Sequence, residues 1–450
     1  MSSDALFTPS LSTELMTVTV SDRAWVAAML EVEAALARVE ARVGLIPGRA
    51  AEGIVEHCRV DEFDVAQLGK AAVRSANPVI PLVNALRAAV PKDAAPFVHR
   101  GATSQDVLDT AMMLIARRGL DLVIGDLGRA AAAAAALADQ HRSTVMAART
   151  LLQQALPTTF GLKAAGWLNA IVEARLELIR VRRTRLAVQF GGAAGTLAAL
   201  SDRGLEVARA LAIELELPEP VMPWHSARAR VVELATTLGI AAGVAGKVAL
   251  DIVLLAQTEV SEVNERAGPG RGASSTMPQK HNPVESIEIL AAVRGINASV
   301  ATLQAAMVGE HERAAGAWQA EWPAFAETLR LAAGAVSRLA SLLTGLEIDR
   351  ERMRRNLDLT GGAIMAEHVV MMLGERIDRV MARALVDAAV ASAASSGRPF
   401  KDVLGADPAI TAQLNAAELA AGLDPAGYLG ASSQLIDRAL EAYARAGGDR

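Results

Sequence analysis

The spacing of apolar residues predicts helices along most of the chain. After Ser21, large apolar side chains recur at steps of three and four and so share one face of a helix: they are Trp25, Met29, Val32, Leu36, Val39 and Val43. Ser21 or Asp22 is a suitable N-cap for this helix, and Gly44 and Pro47 end it. Shorter helices follow up to about residue 96, with breaks predicted at Pro78, Pro81 and Pro91.

From about Val107 the apolar pattern runs through much longer segments. Five of them exceed an ordinary globular helix: Val107–Gln140, Thr159–Gln189, Ser226–Arg266, Val284–Val308 and Glu321–Thr344. Long helices of this kind pack as an antiparallel bundle. No segment alternates with period two for long enough to predict a sheet. The two most apolar runs, 130–138 and 234–246, are shorter than the roughly 18–20 residues of a membrane span, so they are interpreted as buried helices.

After Gly345 the predicted helices shorten, and Pro399, Pro408 and Pro425 separate them. The sequence therefore predicts an all-α fold with three helical domains. These are an N-terminal domain of residues 1–106, a central long five-helix bundle of residues 107–345, and a small C-terminal domain of residues 346–450.

Composition supports helices and argues against some partners. Apolar residues make up 52 % of the 450 residues but aromatic residues only 3 %, so the apolar mass is mostly Ala, Leu and Val. A net charge of −5 gives no drive towards nucleic acid or an anionic membrane. The positive charge is mostly Arg, which suits either an acidic substrate or a general codon bias.

The chain has one cysteine, Cys58, so no disulfide within the chain is expected. Cys58 lies in a polar stretch, Glu56-His57-Cys58-Arg59. It is either a nucleophile or an ordinary thiol, and the ordinary thiol is the favoured alternative. The first residues include Asp4 and Pro9 and lack the apolar core of a signal peptide. These observations predict a cytoplasmic protein.

Three irregular segments lie at the ends of the long helices: 99–106, 148–157 and 268–283. Irregular segments held by rigid helices often carry function. In the third, Gly268, Gly270 and Gly272 precede Pro278 and Pro283, a pattern that suits a lid over a substrate. The glycines do not form a phosphate-binding loop, because the spacing is wrong and no strand precedes them.

The run from Ala273 to Pro283, Ala-Ser-Ser-Thr-Met-Pro-Gln-Lys-His-Asn-Pro, resembles the signature Gly-Ser-Ser-x-Met-Pro-x-Lys-x-Asn-Pro of the fumarase/aspartase superfamily. Members add or remove a group across the double bond of a fumarate-like acid. They are homotetramers in which three subunits build each active site. The resemblance implies a tetrameric helical core, a small polycarboxylate substrate, and no cofactor.

The resemblance also implies roles for residues of this run. Ser274 moves the proton on carbon, Lys280 and Asn282 stabilise an enediolate, and Ser275 and Met277 contact the substrate. The chemistry agrees, since an enediolate needs fixed positive charge and hydrogen-bond donors. A Ser hydroxyl acts as a base only where nearby cations and amides lower its pKa.

The segment His99–Asp106 resembles the first signature of the superfamily, Gly-x-Thr-Ser-x-Asp. By that resemblance Thr103 and Ser104 bind a substrate carboxylate, although either residue is also a suitable helix cap. His99 matches a histidine of adenylosuccinate lyases, and it either binds substrate or has a structural role.

The segment Arg149-Thr150-Leu151-Leu152-Gln153 departs from the superfamily. Most members have a histidine after Arg-Thr, and that histidine assists the leaving group. Leu151 cannot transfer a proton, so a basic leaving group would depart without help. A carboxylate, whose conjugate acid has a pKa of about 4, needs no such acid. Gln153 remains as a substrate hydrogen-bonding candidate.

One branch, the bacterial 3-carboxy-cis,cis-muconate cycloisomerases, carries an apolar residue at that position. Other segments also resemble this branch: 189–195, 223–225, 310–313, 318–322 and 353–360. The resemblance implies lactonisation of a muconate polycarboxylate in protocatechuate catabolism. Arg313 would face a carboxylate, and His225 is either an acid–base group or a structural histidine beside Ser226.

Two departures from this branch leave alternatives open. After His225 the branch commonly has Thr-Gln-Arg-Asp-Arg, but this chain has Ser-Ala-Arg-Ala-Arg, with Ala227 and Ala229 in place of polar residues. A β-elimination lyase acting on another substituted succinate, such as nitrosuccinate, is therefore an alternative. A non-catalytic helical scaffold is a third. A metal site is not predicted, because Glu310-His311-Glu312-Arg313 lacks a second histidine at helical spacing.

Overall fold

A computed structural model of the chain describes residues 6–266, 272, 276–277 and 279–447. These residues form nineteen α-helices, six short 3-10 helices and two antiparallel sheets of two strands each. The predicted all-helical fold class is therefore confirmed.

The helices fall into three groups along the chain. The first group is α1 (Thr8–Leu11), α2 (Glu14–Thr19), α3 (Asp22–Arg42), α4 (Gly48–His57), α5 (Val65–Ala72) and α6 (Val79–Ala89). The second group contains the long helices and is α7 (Ser104–Gln140), α8 (Phe160–Thr184), α9 (Gly204–Glu214), α10 (Ala229–Leu255), α11 (Val284–Ala305) and α12 (Ala317–Thr344). The third group is α13 (Arg350–Leu357), α14 (Ala366–Gly374), α15 (Arg379–Ser396), α16 (Phe400–Ala406), α17 (Pro408–Thr411), α18 (Ala416–Gly422) and α19 (Ser432–Arg445).

The helix predictions are confirmed, with changes at several helix ends. Helix α3 starts as predicted, with the Ser21 hydroxyl accepting the backbone N–H of Ala24. Pro81 was expected to break a helix but lies in the first turn of α6, where the missing N–H costs no helical hydrogen bond. The predicted segments 159–189 and 226–266 are longer than the helices α8 and α10, because their outer residues form irregular connections or belong to short strands.

The segment expected to be irregular around residues 148–157 is a β-hairpin. Strands β1 (Val145–Thr150) and β2 (Gln153–Thr159) pair antiparallel, with a register shift between Ala147 and Arg149. The second sheet pairs β3 (Val263–Asn264) with β4 (Glu347–Ile348). Both sheets are too short to produce a sustained period of two, which is why the apolar pattern did not predict them.

The residues group into two compact units. The first comprises 1–127, 173–246 and 288–338. In it, small residues let long helices approach one another closely. A Cβ at Gly119 of α7 would lie 3.0 Å from Leu329 of α12, and a Cβ at Gly295 of α11 would lie 2.7 Å from Leu331. These contacts define bundle packing within the unit.

The second unit comprises 128–172, 247–287 and 339–450. Its C-terminal helices bury a separate apolar cluster that contains Leu373, Phe400, Leu404, Ile410 and Leu414. The three-domain division at residues 106 and 345 follows different bounds from these units and stays a prediction.

Helices α10 and α11 are long and apolar enough to cross a membrane by length and composition alone. Half of the apolar window of α10 is buried within the protein. The exposed face of α11 carries Arg294, Asn297 and Thr302, which suit water or protein better than lipid. The two helices are therefore interpreted as bundle helices.

Candidate active site

Asp106, in the first turn of α7, holds three separate segments together. Its Oδ2 accepts the backbone N–H groups of Thr103 and Gly192, each at 2.9 Å. Its Oδ1 accepts the N–H of Gly191 at 2.9 Å and lies 2.7 Å from Nε2 of His225. The carboxylate is buried, so these contacts fix the loop before α7 relative to two distant parts of the chain.

His225 lies four residues before α10 rather than at its first turn. Its side chain is buried and its Nε2 is engaged by Asp106. The space beside it is tight, because a Cβ at Gly191 would lie 2.9 Å from Cε1 of His225. These contacts favour the structural alternative for His225, and its acid–base role stays a prediction.

Thr103 and Ser104 lie at the start of α7, and both hydroxyls are placed by neighbours. The Thr103 Oγ1 accepts a hydrogen bond from Arg313 at 2.9 Å, and the Ser104 Oγ accepts one from Asn77 at 2.7 Å. Arg313 also donates to the carbonyl of Ala193 at 2.9 Å. The structure therefore brings together a hydroxyl and a guanidinium that were predicted, from separate segments, to bind carboxylates.

Asp106 also contributes to the N-terminus of α7, beside these two residues. Ser104 is the first residue of α7, so Thr103 occupies the N-cap position. The Asp106 side chain reaches back to the Thr103 N–H, which is one half of a capping box. The hydroxyls of Thr103 and Ser104 instead accept from Arg313 and Asn77, and the capping alternative for them stays a prediction.

A buried ion cluster supports the start of α10. Arg228 forms a bidentate pair with Asp109, with distances of 2.6 and 3.0 Å, and also pairs with Glu321. Trp318 and Gln105 donate hydrogen bonds to the same Asp109 carboxylate. Burial raises the pKa of Glu321, and the adjacent Arg228 acts in the opposite direction. Because all three charges are buried, the pairs are needed to avoid an isolated buried charge.

His99 lies directly before the loop that leads into α7, and its side chain pairs with a carboxylate on α3. Its Nδ1 lies 2.6 Å from Oε1 of Glu33, whose side chain is buried. The backbone of His99 has φ of +62°, a conformation rare for residues other than glycine. The substrate-binding and structural alternatives for His99 are compatible with this geometry.

In the second unit, the β1–β2 hairpin is anchored close to its turn, through Arg149 of β1. Arg149 forms a bidentate pair with the buried Glu262, with distances of 2.6 and 2.9 Å. Asn356 donates to the same carboxylate at 2.7 Å. At the tip, Leu151 and Leu152 have φ of +51° and +66°.

The exposure of the hairpin tip is unusual for leucine. Leu151 is 96 % exposed and Leu152 is 74 % exposed, and Gln153 beside them is also exposed. Two exposed leucines in the left-handed region are costly in a lone hairpin, where Asn-Gly is preferred. The predicted substrate contact of Gln153 has no contrary observation and stays a prediction.

The signature loop is only partly described. Ser274 and Ser275 lie outside the described residues. Gly272, with φ of +67°, faces Asn282 so closely that a Cβ would lie 2.7 Å from the Asn282 carbonyl oxygen. The Asn282 backbone and side-chain N–H groups both donate to the Gly272 carbonyl, at 2.9 and 3.2 Å. The side-chain amide keeps a second N–H for a ligand.

Beyond Asn282, the loop leads into α11. The Glu265 carboxylate accepts the backbone N–H groups of Glu285 and Ser286 at the start of that helix. Lys280 and Met277 are exposed, and a cleft of about 230 Å³ lies beside Asn282. The described part of the loop thus presents the Lys280 cation and the Asn282 amide next to an anchored end. Among the described residues, no group of three or more His, Cys, Asp or Glu side chains is arranged to hold a metal.

The sequence analysis did not identify the buried charged residues that hold the candidate site residues in place. Asp106, Asp109, Arg228, Glu321 and Glu33 were not named as site residues. Asp106 was visible as the last residue of the first signature, and Arg228 as the arginine shared with the related branch after His225. No local pattern pointed to Glu33, which is 66 positions from His99 in the chain.

Family models match most of the chain. Residues 8–300 match a family described as lyase, and residues 362–439 match the adenylosuccinate lyase C-terminus. The chain belongs to the lyase family and is an enzyme of the fumarase/aspartase superfamily.

Individual relatives refine this class. The chain is 48 % identical to a 3-carboxy-cis,cis-muconate cycloisomerase from Bradyrhizobium diazoefficiens, with 98 % of each chain covered. It is 47 % identical to a nitrosuccinate lyase from Streptomyces davaonensis, with 94 % of this chain and 91 % of the relative covered. The crystal structure of 3-carboxy-cis,cis-muconate lactonizing enzyme from Pseudomonas putida has a TM-score of 0.94 and 40 % identity, covering 98 % of this chain and 99 % of that one.

Proposed function

We propose that this enzyme is a cycloisomerase that converts 3-carboxy-cis,cis-muconate to 4-carboxymuconolactone in protocatechuate catabolism. The observation that carries the proposal is Leu151. It stands at the hairpin tip where most of the superfamily has an acid histidine, so the chemistry must proceed without an acid at that position. The relatives named as muconate cycloisomerases support the same substrate.

The reaction needs no acid at Leu151 because its leaving group is a carboxylate. In the forward direction a substrate carboxylate oxygen adds to the diene and forms a γ-lactone, while a proton is delivered to the neighbouring carbon. In reverse, the same step is a β-elimination that releases a carboxylate. A carboxylate is a weak base, so it departs without protonation.

The proton transfer passes through an enediolate that the protein must stabilise. Ser274 delivers the proton to carbon, and Lys280 and Asn282 supply the positive charge and the N–H donor for the enediolate oxygens. Ser275 and Met277 contact the substrate beside them. This assignment rests on the signature loop and on the anchored position of Asn282.

The remaining carboxylates of the substrate are bound by a second group of residues. Thr103 and Arg313 are already in hydrogen-bond contact, and Ser104 lies next to them. A guanidinium beside a hydroxyl binds a carboxylate through charge-assisted hydrogen bonds. Gln153 contributes a further hydrogen bond from the hairpin. No cofactor and no metal take part in this proposal.

We infer a homotetramer in which subunits share each active site. Large apolar side chains are exposed on the long helices: Leu176 on α8, Ile240 and Leu250 on α10, and Ile287 on α11. Exposed apolar faces on long helices favour association with further helices.

Light scattering tests the tetramer and should give four times the 47.0 kDa chain mass. A Leu250→Arg variant should give a smaller mass, and Leu205→Arg on the short helix α9 is the matched control.

The substrate is tested by the ultraviolet absorbance of the diene. Purified enzyme should remove the absorbance of 3-carboxy-cis,cis-muconate, and Ser274→Ala should reduce kcat by at least roughly a hundredfold, as expected for loss of a proton-transfer group. A diene that persists with the wild-type enzyme would refute the proposed substrate. Unchanged turnover in Ser274→Ala would refute the role of Ser274.

Nitrosuccinate elimination is the second candidate. It is favoured by the relative named nitrosuccinate lyase, which is about as similar as the first cycloisomerase, and by Ala227 and Ala229, which replace two polar residues of the cycloisomerase branch. Nitrite, like carboxylate, leaves without an acid. Release of nitrite from nitrosuccinate, with no loss of the muconate diene, would establish this candidate instead.

A further inference from the structure

Glu33 is a buried carboxylate on α3. It lies on α3 among buried residues that include Met29, Leu30 and Leu36, and it is itself 2 % exposed. Placing a carboxylate in such a position costs free energy unless it gains a partner. In the described part of the chain, the Glu33 carboxylate gains such a partner in His99, whose Nδ1 lies 2.6 Å from its Oε1.

His99 is held in an unusual backbone conformation at the edge of the predicted carboxylate site. Its φ is +62°, which is costly for a residue with a Cβ and is found where surrounding contacts enforce it. It lies four positions before Thr103. Among the described residues, Nδ1 is the ring nitrogen of His99 that makes a hydrogen bond, so Nε2 remains for a ligand.

Three charged groups on different elements act on His99. Burial acts to lower its pKa, and Glu33 on α3 opposes this through both its charge and its hydrogen bond. Arg87 on α6 lowers the pKa and Asp106 on α7 raises it. The net result is a pKa above the ordinary histidine value. If Glu33 were removed, burial and Arg87 would lower the pKa of His99, and of the groups named here Asp106 would remain to raise it.

We propose that Glu33 is a positioning residue that holds His99 as an imidazolium through Nδ1 and so presents the Nε2–H of His99 to a substrate carboxylate. This inference rests on the proposed function, because it takes a polycarboxylate as the ligand. The imidazolium donates from Nε2 with a charge-assisted hydrogen bond, which a neutral ring with its proton on the other nitrogen does not make.

The test begins with a measurement that needs no substrate. Glu33→Gln keeps the shape of the side chain but removes its charge. The imidazole carbon signals of the seven histidines are followed against pH by NMR, and a His99→Gln variant assigns the His99 signal. The pKa of His99 should fall in Glu33→Gln. An unchanged pKa would overturn the proposal.

Glu40→Gln is the matched control. Glu40 lies on the same helix seven residues on and is equally buried, and neither of its carboxylate oxygens has a hydrogen-bond partner in the described part of the chain. Below pH 8 this control should leave the pKa of His99 unchanged. An equal fall of the His99 pKa in both variants would mean that loss of any buried carboxylate on α3 has this effect, and would contradict a specific role of Glu33.

The second measurement is the pH dependence of kcat/KM. If a charged His99 binds the substrate, activity falls as pH rises through the pKa of His99, and Glu33→Gln moves this fall to lower pH. At pH 7.5 the loss should be roughly 10- to 100-fold and mainly in KM, the size of a hydrogen bond to a charged group. Glu33→Asp, which keeps the charge, should recover part of it.

The two measurements separate failure of this inference from failure of the proposed function. A wild-type enzyme that leaves both 3-carboxymuconate and nitrosuccinate unchanged contradicts the proposed function, and the NMR titration still decides the Glu33–His99 pairing. A normal wild-type rate with an unchanged pH profile in Glu33→Gln overturns the positioning role alone.

Discussion

At the scale of single residues, Glu40 couples folding to pH. Burial raises the pKa of this carboxyl to about 8, and Arg100 acts in the opposite direction. The ordinary value, 4.5, applies when the chain unfolds. Between pH 4.5 and pH 8 the folded protein keeps a proton on Glu40 that the unfolded protein releases. The free energy of unfolding is therefore highest, as far as Glu40 is concerned, below pH 4.5, and it falls as pH rises towards 8.

The first prediction concerns the variant Glu40→Gln, which cannot ionise. Between pH 5 and 8 the wild-type protein should lose roughly 2–4 kcal/mol more unfolding free energy than the variant, since each pKa unit corresponds to about 1.4 kcal/mol. Urea unfolding at several pH values measures this difference. Glu52→Gln, on the exposed face of α4, is the control and should follow the wild type. Parallel curves for Glu40→Gln and the wild type would contradict the ionisation of Glu40.

The second prediction concerns Cys58. Burial raises the pKa of its thiol to about 12, with Glu33 adding to the effect. The thiolate is the reactive form, so alkylation by iodoacetamide at pH 8 should be much slower in the native protein than in the unfolded chain. Mass spectrometry follows the single cysteine. Equal alkylation rates in the native and unfolded states would show that the Cys58 thiol is reactive in the folded protein, and would favour a nucleophilic role for it.

Single residues differ in how well the sequence predicts their role. Thr103, Lys280 and Asn282 were named because they stand in recognisable motifs. Glu33 and Glu40 were not named, since they belong to no motif and are not among the apolar residues that predict α3. Their partners come from other elements, and such contacts arise from packing rather than from any local spacing.

At the scale of elements, a buried ion pair helps to anchor the β1–β2 hairpin. Glu262 is buried, and Arg149 from β1 compensates its charge in bidentate geometry, with Asn356 as the other partner. Removing the arginine would leave a buried carboxylate with one amide. The hairpin carries Leu151 and Gln153, so its position bears directly on the proposed site.

The third prediction is that Arg149→Met destabilises the protein by about 3–5 kcal/mol and strongly reduces turnover, as expected when one partner of a buried pair is removed. The matched control is Arg142→Met, which breaks more exposed pairs with Asp139 and Asp437 and should cost at most about 1 kcal/mol. Thermal unfolding and the diene assay measure both variants. Equal effects of the two substitutions would contradict an anchoring role for Arg149.

The elements were predicted unevenly. The five long helices follow from the 3.6-residue period, which persists over many turns and therefore averages out exceptions. The hairpin did not follow, because a two-stranded sheet of six and seven residues with a register shift shows little alternation. Its turn also lacks glycine or asparagine, the residues that usually mark a tight hairpin.

At the scale of the whole molecule, the proposed tetramer makes a prediction about mixed enzymes. Ser104→Ala and Ser274→Ala should each be nearly inactive. If different subunits supply the two serines to one site, mixed tetramers of equal composition regain intact sites, up to about a quarter of the total for random assembly. Turnover after mixing and reassembly, compared with each variant treated alone, measures this. No recovery would place both residues of a site on the same chain.

We propose that the enzyme forms a lactone by delivering a proton to carbon without an acid at Leu151. The most direct test is the NMR spectrum of the product when 3-carboxy-cis,cis-muconate is converted in deuterated water. The expected product is a γ-lactone that carries one deuterium on the carbon next to a carboxylate, and Ser274→Ala should form almost none. Unchanged substrate with the wild-type enzyme, or a product without the lactone ring, would contradict the account.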